Sequence, residues 1–303
     1  MKIIFMGTPE FAVPVLKTIH QSDHNVQAVV TVPDHWGGRN KSKKLVSAVK
    51  KYAIEQELPL LQPEKLNYSS FLDRLRELNP DVIVVVAFKK LPQLVWSIPR
   101  YGTINLHASL LPAYRGAAPI NHAVIQGEST TGMTTFFIDD RIDTGNILLQ
   151  EEVPVYENDT AGEVYSRMMM ASGKFMLKTL KGIEENTILP KSQNDEKASA
   201  APKVYFDQNE LDFDRLVREL YNIIRGMSPY PGTWTKYQDK ILKIYFAEPV
   251  VLPHDEEPGT IKTDYQTYFR IYARNGYLKI KDLQWEGKKR MKIKDFLNGL
   301  SSR

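Results

Sequence analysis

Short apolar runs alternate with stretches of helical spacing through the first half of the chain. Lys2–Met6 reads as a buried strand. Phe11–Gln21 reads as a helix, with Pro14 tolerable only in its first turn, and Val26–Val32 as a strand closed by Pro33-Asp34. Leu45–Glu55 has helical spacing with a basic face, and Phe71–Leu78 is also helical. Asp81–Phe88, DVIVVVAF, carries valine and isoleucine without polar alternation. Such a strand is covered on both faces, which implies a parallel sheet flanked by helices. Gly102–Leu106 adds another short strand. Strand and helix alternating in this way predict a doubly wound, Rossmann-like α/β domain with a mostly parallel sheet.

The pattern then changes. Met133–Ile138 and Ile147–Val155 read as two further strands joined by a loop, and Thr160-Ala-Gly-Glu163 is a capping box opening a long helix to about Ile183. From Leu189 to about Pro202 the chain is polar and has no period. Leu211–Arg225 is amphipathic, Ser228-Pro-Tyr-Pro-Gly232 is a turn, and Lys240–Phe246, Gly259–Thr263, Tyr268–Ala273 and Tyr277–Leu283 alternate as short strands. Their spacing predicts a small C-terminal β-barrel of the OB kind, with too little core for the main chemistry and suited to binding. The expected organisation is a catalytic domain over residues 1–188, a linker over 189–206 and a barrel over 207–303.

Composition narrows the function classes. The 303 residues allow one large domain or two ordinary ones, and 42% hydrophobic with 25% charged residues is the balance of a soluble globular protein. No apolar run approaches the roughly 20 residues that span a bilayer. The apolar N-terminus is too short for a signal peptide, so no membrane association is expected. The absence of cysteine excludes disulfides, thiolate metal sites and a cysteine nucleophile, and fits a reducing cytoplasm. The six histidines show no metal-ligand spacing, so no metal is expected. The net charge of +4 is modest but unevenly placed. From His35 to Gln56 the only acidic residue is Glu55, against Arg39, Lys41, Lys43, Lys44, Lys50 and Lys51. Lys288, Lys289, Arg290, Lys292 and Lys294 cluster near the end. Two basic segments suit a polyanionic partner, and equally a solvated loop and tail.

Four segments could carry chemistry. Gly7-Thr-Pro-Glu-Phe11 follows the first strand, where open α/β sheets bind ligands. It is not a G-x-G-x-x-G fingerprint, and an ordinary strand-to-helix turn reads the same. Asn105 and His107 stand two apart at the end of a strand, so an amide that can donate to an oxyanion and an imidazole that can shuttle a proton share one face, though a histidine at a strand end is also commonly structural. In Ser109-Leu-Leu-Pro112, Leu110 and Leu111 either form a lip for a flat organic ring or tuck into the core. Asp139-Asp-Arg-Ile-Asp143-Thr-Gly145 supplies carboxylates that could orient the imidazole or a water, or is simply a turn-rich hairpin loop.

Taken together, INLHASLLPAYRGAAPINHAVIQGE and the later IDTG closely resemble the formyltransferases that use 10-formyltetrahydrofolate. GTPEFA, the basic loop after Pro33-Asp34, RGAAPI and IRGMSPYPGTW resemble the branch that acts on methionyl initiator tRNA, and the likeness covers nearly the whole chain. The resemblance implies formyl transfer to the methionine amine, with Asn105, His107 and Asp143 as the catalytic trio. It implies folate contacts from Ser109, Leu110, Leu111 and Pro112 and from Phe88, Lys89, Lys90 and Leu91, to which Asp139 and Asp140 are added. It places Phe11 at the methionine side chain, and Arg39, Lys41, Lys43, Lys44 and Lys203 at the tRNA. A cytoplasmic monomer is expected. The basic loop departs from the family pattern in reading DHWGGRNKSKK, where Trp36 either stacks on an unpaired base or only packs. Two rivals remain: a relative that formylates a small amine such as a nucleotide sugar, and a non-catalytic RNA-binding protein in which the trio is coincidental.

Overall fold

The computed structural model describes residues 1–37 and 42–301. Its described elements run β1 (Lys2–Gly7), α1 (Val13–His20), β2 (Asn25–Val30), β3 (His35–Gly37), β4 (Lys43–Leu45), α2 (Ala48–Glu55), β5 (Leu60–Leu61), α3 (Ser69–Leu78), β6 (Val82–Val86), α4 (Gln93–Trp96) and β7 (Thr103–His107). They continue as α5 (Pro119–Ile125), β8 (Thr130–Phe137), β9 (Ile147–Pro154), α6 (Ala161–Glu184), α7 (Val217–Gly226), β10 (Thr233–Tyr237), β11 (Lys240–Val251), β12 (Ile261–Thr263), β13 (Phe269–Ala273), β14 (Gly276–Trp285), β15 (Met291–Lys292) and α8 (Ile293–Ser301). No described helix is long and apolar enough to cross a membrane. The chain divides into two compact units, 1–116 with 132–153 and 165–200, and 117–131 with 154–164 and 201–303.

The first unit is built on a seven-stranded sheet in the order β5-β2-β1-β6-β7-β8-β9. β1 pairs in parallel with β2 and β6, and β6 in parallel with β7, while β7 and β8 run antiparallel. The unalternated DVIVVVAF run is central, and every residue of β6 is buried. Each such aliphatic side chain contributes about 1.5–3 kcal/mol by leaving water. Gly7 sits where β1 ends. A Cβ there would lie 2.8 Å from Ala12 Cβ and 3.0 Å from the Val86 carbonyl oxygen, so close packing requires glycine at this turn.

Two readings of the sequence shift. The helix expected from Leu45 begins at Ala48, where the Ser47 hydroxyl caps the Lys50 N–H at 3.0 Å, and Lys43–Leu45 instead pairs with His35–Gly37 as a hairpin. The helix expected from Leu211 begins at Val217. Residues 209–211 instead bridge to Trp234, with the Leu211 N–H donating to the Trp234 carbonyl and the Trp234 N–H to that of Asn209, and a turn over 213–214 precedes the helix. The capping box at Thr160 forms as read, with the Thr160 N–H donating to Glu163 Oε2 at 2.6 Å.

In the second unit an antiparallel sheet runs β10-β11-β14-β13-β12, with β15 on β14. β11 and β14 are long and bulged between Ile244 and Ala247, which curls the sheet around Phe269, Ile271, Leu278, Leu283, Trp285 and Phe296. The α7 helix packs on this core through Val217, Leu220, Tyr221 and Ile224. It also meets α5, where the Asn121 amide donates to the Gly226 carbonyl at 2.7 Å.

Candidate active site

The site grows from the C-terminal end of β7. This strand is interior, with Asn105 registered between Val85 of β6 and Phe136 of β8, and His107 opposite Thr134. Alternation places Asn105 and His107 on one face. The Asn105 amide is half-buried, and no side-chain hydrogen bond engages it among the described residues. His107 is 6% exposed. Its Nε2 lies 2.9 Å from the Tyr114 carbonyl oxygen. A carbonyl only accepts, so Nε2 carries a proton and Nδ1 is the nitrogen left for chemistry.

Nδ1 faces Asp143, whose Oδ2 is 3.7 Å away. That is beyond a direct hydrogen bond, and both atoms remain able to bond a third polar atom. The same Oδ2 accepts from the Gly116 N–H at 2.9 Å. Asp143 adopts φ +57°, a left-handed conformation that aspartate tolerates better than most residues. Two residues on, Gly145 passes beneath β8, where a Cβ would stand 1.7 Å from the Phe137 carbonyl oxygen. The loop can cross there only as glycine. Asp139 closes the same loop, its Oδ1 accepting from Thr144 Oγ1 at 2.7 Å and from the Arg141 N–H at 3.1 Å. Asp140 is exposed.

The segment Ser109–Pro112 is fastened from beneath by Thr134, which is fully buried. Thr134 Oγ1 donates to the Ser109 carbonyl at 2.6 Å and accepts from the Leu111 N–H at 3.0 Å. Ser109 Oγ donates to the Ala113 carbonyl at 2.6 Å, and the Gln150 amide donates to the Leu111 carbonyl at 2.9 Å. Of the two readings of this loop, Leu111 takes the tucked one, being 3% exposed, while Leu110 is half-buried.

After β6, Ala87 takes φ +48° and turns the chain. Phe88 then packs on the core that includes Leu72, Val85 and Leu91, with Lys89 and Lys90 exposed beside it. Phe11 is 5% exposed, its ring 5.2 Å from that of Tyr165. Burial pushes the Tyr165 phenol up, against a smaller opposing pull from the Phe11 backbone.

The basic loop is anchored at its base. Asp34 Oδ2 receives Lys50 Nζ at 2.7 Å and Lys44 Nζ at 3.2 Å, and the Gln62 amide donates to Oδ1 at 3.2 Å. The Lys50 hydrogen bond, followed by that of Gln62, holds the Asp34 carboxyl at about 2. Lys43 is exposed on β4, and Trp36, 63% exposed, is registered opposite Lys44. Arg39 and Lys41 lie outside the described residues. In the second unit, Lys203 is exposed with Nζ 5.0 Å from the Tyr205 ring centroid.

The residues that brace the trio were not legible in the sequence. Tyr114 and Gly116 act through backbone atoms, which any residue could supply. Thr134 is one of several similar threonines along β8. Gln193 lies in the segment without a period. No group of three His, Asp or Glu side chains that could hold a metal ion occurs among the described residues.

Comparison with known proteins adds to this geometry. Residues 1–180 match the family described as Formyl transferase, and residues 203–301 match Formyl transferase, C-terminal domain. The chain is similar to the methionyl-tRNA formyltransferase of Bacteroides thetaiotaomicron, 42% identical over 99% of this chain and 95% of that protein. In fold it is similar to an N-formyltransferase from Helicobacter canadensis solved with folinic acid and dTDP-3-aminofucose. That likeness has a TM-score of 0.69 at 20% identity, over 96% of this chain and 100% of the other. It is also similar to the methionyl-tRNA formyltransferase of Clostridium thermocellum, with a TM-score of 0.58 at 18% identity over 82% and 93%.

Proposed function

Because the chain belongs to the formyl transferase family, we infer that it moves the formyl group of 10-formyltetrahydrofolate to the α-amino group of methionine on the initiator tRNA, giving N-formylmethionyl-tRNA for translation initiation. The observation that carries this reading is the 42% identity, over 99% of the chain, to a curated relative of that name.

The folate carrier fits the surroundings of β7. The half-buried Asn105 side-chain amide has no partner among the described residues, and apolar Phe88 and Leu91 flank the exposed Lys89 and Lys90. Phe88–Leu91 and Ser109–Pro112 would hold it, with Asp140 and the Asp139 backbone at the loop edge. When bound, it supplies the activated formyl carbon. Asn105 Nδ2 is the donor for the negative charge that develops on the formyl oxygen, joined by His107 Nδ1 once that nitrogen holds the proton released by the amine. His107 Nε2 keeps its proton on the Tyr114 carbonyl throughout. Nδ1 takes the proton released by the attacking amine and returns it to the departing nitrogen. Asp143 stabilises the imidazolium in between, with its carboxylate steadied by the Gly116 N–H.

The division of labour follows the chain: catalysis in residues 1–188, a linker over 189–206, and tRNA binding by a partly open, OB-like barrel over 207–303. Arg39, Lys41, Lys43, Lys44 and Lys203 contact the tRNA, and Phe11 beside Tyr165 receives the methionine side chain. The protein works as a cytoplasmic monomer. Offering methionyl initiator tRNA and an amino sugar nucleotide in parallel tests the reading. Formylation of the tRNA alone is expected, and formylation of the sugar alone would refute it.

A further inference from the structure

The segment from Lys191 to Ala200 lies along the first unit with every side chain exposed except one, Gln193. Its carboxamide makes four hydrogen bonds. Nε2 donates to the Asp143 carbonyl at 2.9 Å and to the Gly145 carbonyl at 2.8 Å. Oε1 accepts from Arg115 Nε at 3.1 Å and from Arg115 Nη2 at 2.7 Å. A primary amide has two N–H donors and two lone pairs, so this one is saturated. Its orientation is also fixed, because a reversed amide would set N–H against guanidinium and oxygen against carbonyl.

Both ends of this bridge lead to the reactive pair. On one side, Asp143 carries the carboxylate that faces His107 Nδ1. On the other, Arg115 lies between Tyr114, whose carbonyl fixes His107 Nε2, and Gly116, whose N–H fixes Asp143 Oδ2. Arg115 is itself held, with Nη2 2.8 Å from Asp195 Oδ1. Its backbone N–H donates to the Ser199 carbonyl at 2.8 Å, and the Tyr114 N–H donates to Ser199 Oγ at 2.9 Å. The two loops that set the separation of imidazole and carboxylate come from distant parts of the chain. Among the described residues three side chains join them: the Asp143 carboxylate on the Gly116 N–H, Asp195 between Arg115 and Arg141, and Gln193, whose amide alone of the three bonds the Asp143 and Gly145 carbonyls.

We propose that Gln193 is a positioning residue for formyl transfer, a brace that holds Asp143 in its left-handed conformation and fixes the carboxylate against His107 Nδ1. The role rests on the reaction assigned above. It requires a carboxamide: glutamate can accept from Arg115 but cannot donate to two carbonyls, and leaves both opposite a negative charge.

The test compares Gln193→Glu and Gln193→Met with the parent and with Lys197→Ala, an exposed change in the same segment. Transfer kinetics, thermal melting and the ring ¹⁵N resonances of His107 at one pH are measured for each, the resonances being assigned through His107→Gln. In Gln193→Glu and Gln193→Met, kcat is expected to fall tenfold or more while KM for both substrates stays within about twofold. The His107 resonances are expected to move, and Lys197→Ala to match the parent. A folded Gln193→Glu with parental kcat and unmoved resonances overturns the proposal. If glutamate prevents folding, the near-isosteric Gln193→Met decides by the same criteria. Should the parent transfer no formyl group to tRNA, the assigned reaction falls, and the His107 resonances still decide whether Gln193 braces the pair.

Discussion

The Nε2 nitrogen of His107 lies 2.9 Å from the Tyr114 carbonyl oxygen, and this contact determines which face of the imidazole can do chemistry. Because that carbonyl can only accept, the neutral ring must be the Nε2–H tautomer. Nitrogen-15 spectra of the ring should show Nε2 protonated across the titration and only Nδ1 changing state. A neutral ring protonated at Nδ1 would place the reactive nitrogen on the wrong side.

Gly145 is fixed by contact with the Phe137 carbonyl. An added methyl would sit 1.7 Å from that oxygen, so Gly145→Ala must displace the Asp143 loop. Overpacking of this kind costs about 1–3 kcal/mol. A lowered melting temperature and a loss of kcat larger than the loss of tRNA affinity are expected. Equal loss of both would mean the loop serves tRNA rather than the imidazole.

These two contacts show what a sequence can and cannot reveal. The buried run at β6 and the Asn-x-His spacing on β7 were legible because periodicity and side-chain identity carry them. Gly7 was legible as a turn, but its close approach to Ala12 and Val86 was not. The β3–β4 hairpin was missed because its residues fall in a basic stretch read as a loop running into a helix at Leu45, and only pairing across that loop distinguishes it. Leu111 was open between lip and core, and its side chain is buried at 3% exposure, while Thr134 holds its backbone N–H. The bracing of Asp143 was invisible, since it uses backbone atoms and one glutamine in a segment without a pattern.

The anchor of the basic loop should depend on pH. Hydrogen bonds from Lys50 and then Gln62 lower the Asp34 carboxyl from 3.8 to about 2. A depressed carboxylate stabilises the folded state fully above its unfolded value and loses that contribution as pH falls through its folded value. The anchor should therefore be intact above pH of about 4 and released toward pH of about 2. Carboxyl ¹³C titration should place the Asp34 midpoint near the lower figure, and Lys50→Met should move it upward. A midpoint at the ordinary value in the parent would show that the anchor does not form in solution.

Lys43, exposed on β4, should meet phosphate rather than base. Lys43→Ala is expected to weaken binding of charged initiator tRNA and to reduce the slope of log affinity against log salt by about one. Folate affinity should not change. An unchanged slope would remove Lys43 from the tRNA surface.

The central claim is that the amide of Asn105 and the imidazole of His107 act on the reacting carbonyl. The most direct measurement is the single-turnover transfer rate of Asn105→Ala and His107→Ala, with both substrates saturating and tRNA affinity measured alongside. Loss of such a donor costs roughly 3–4 kcal/mol, so each rate should fall about a hundred- to a thousandfold with tRNA affinity nearly unchanged. Transfer at the parental rate in either variant would contradict the account.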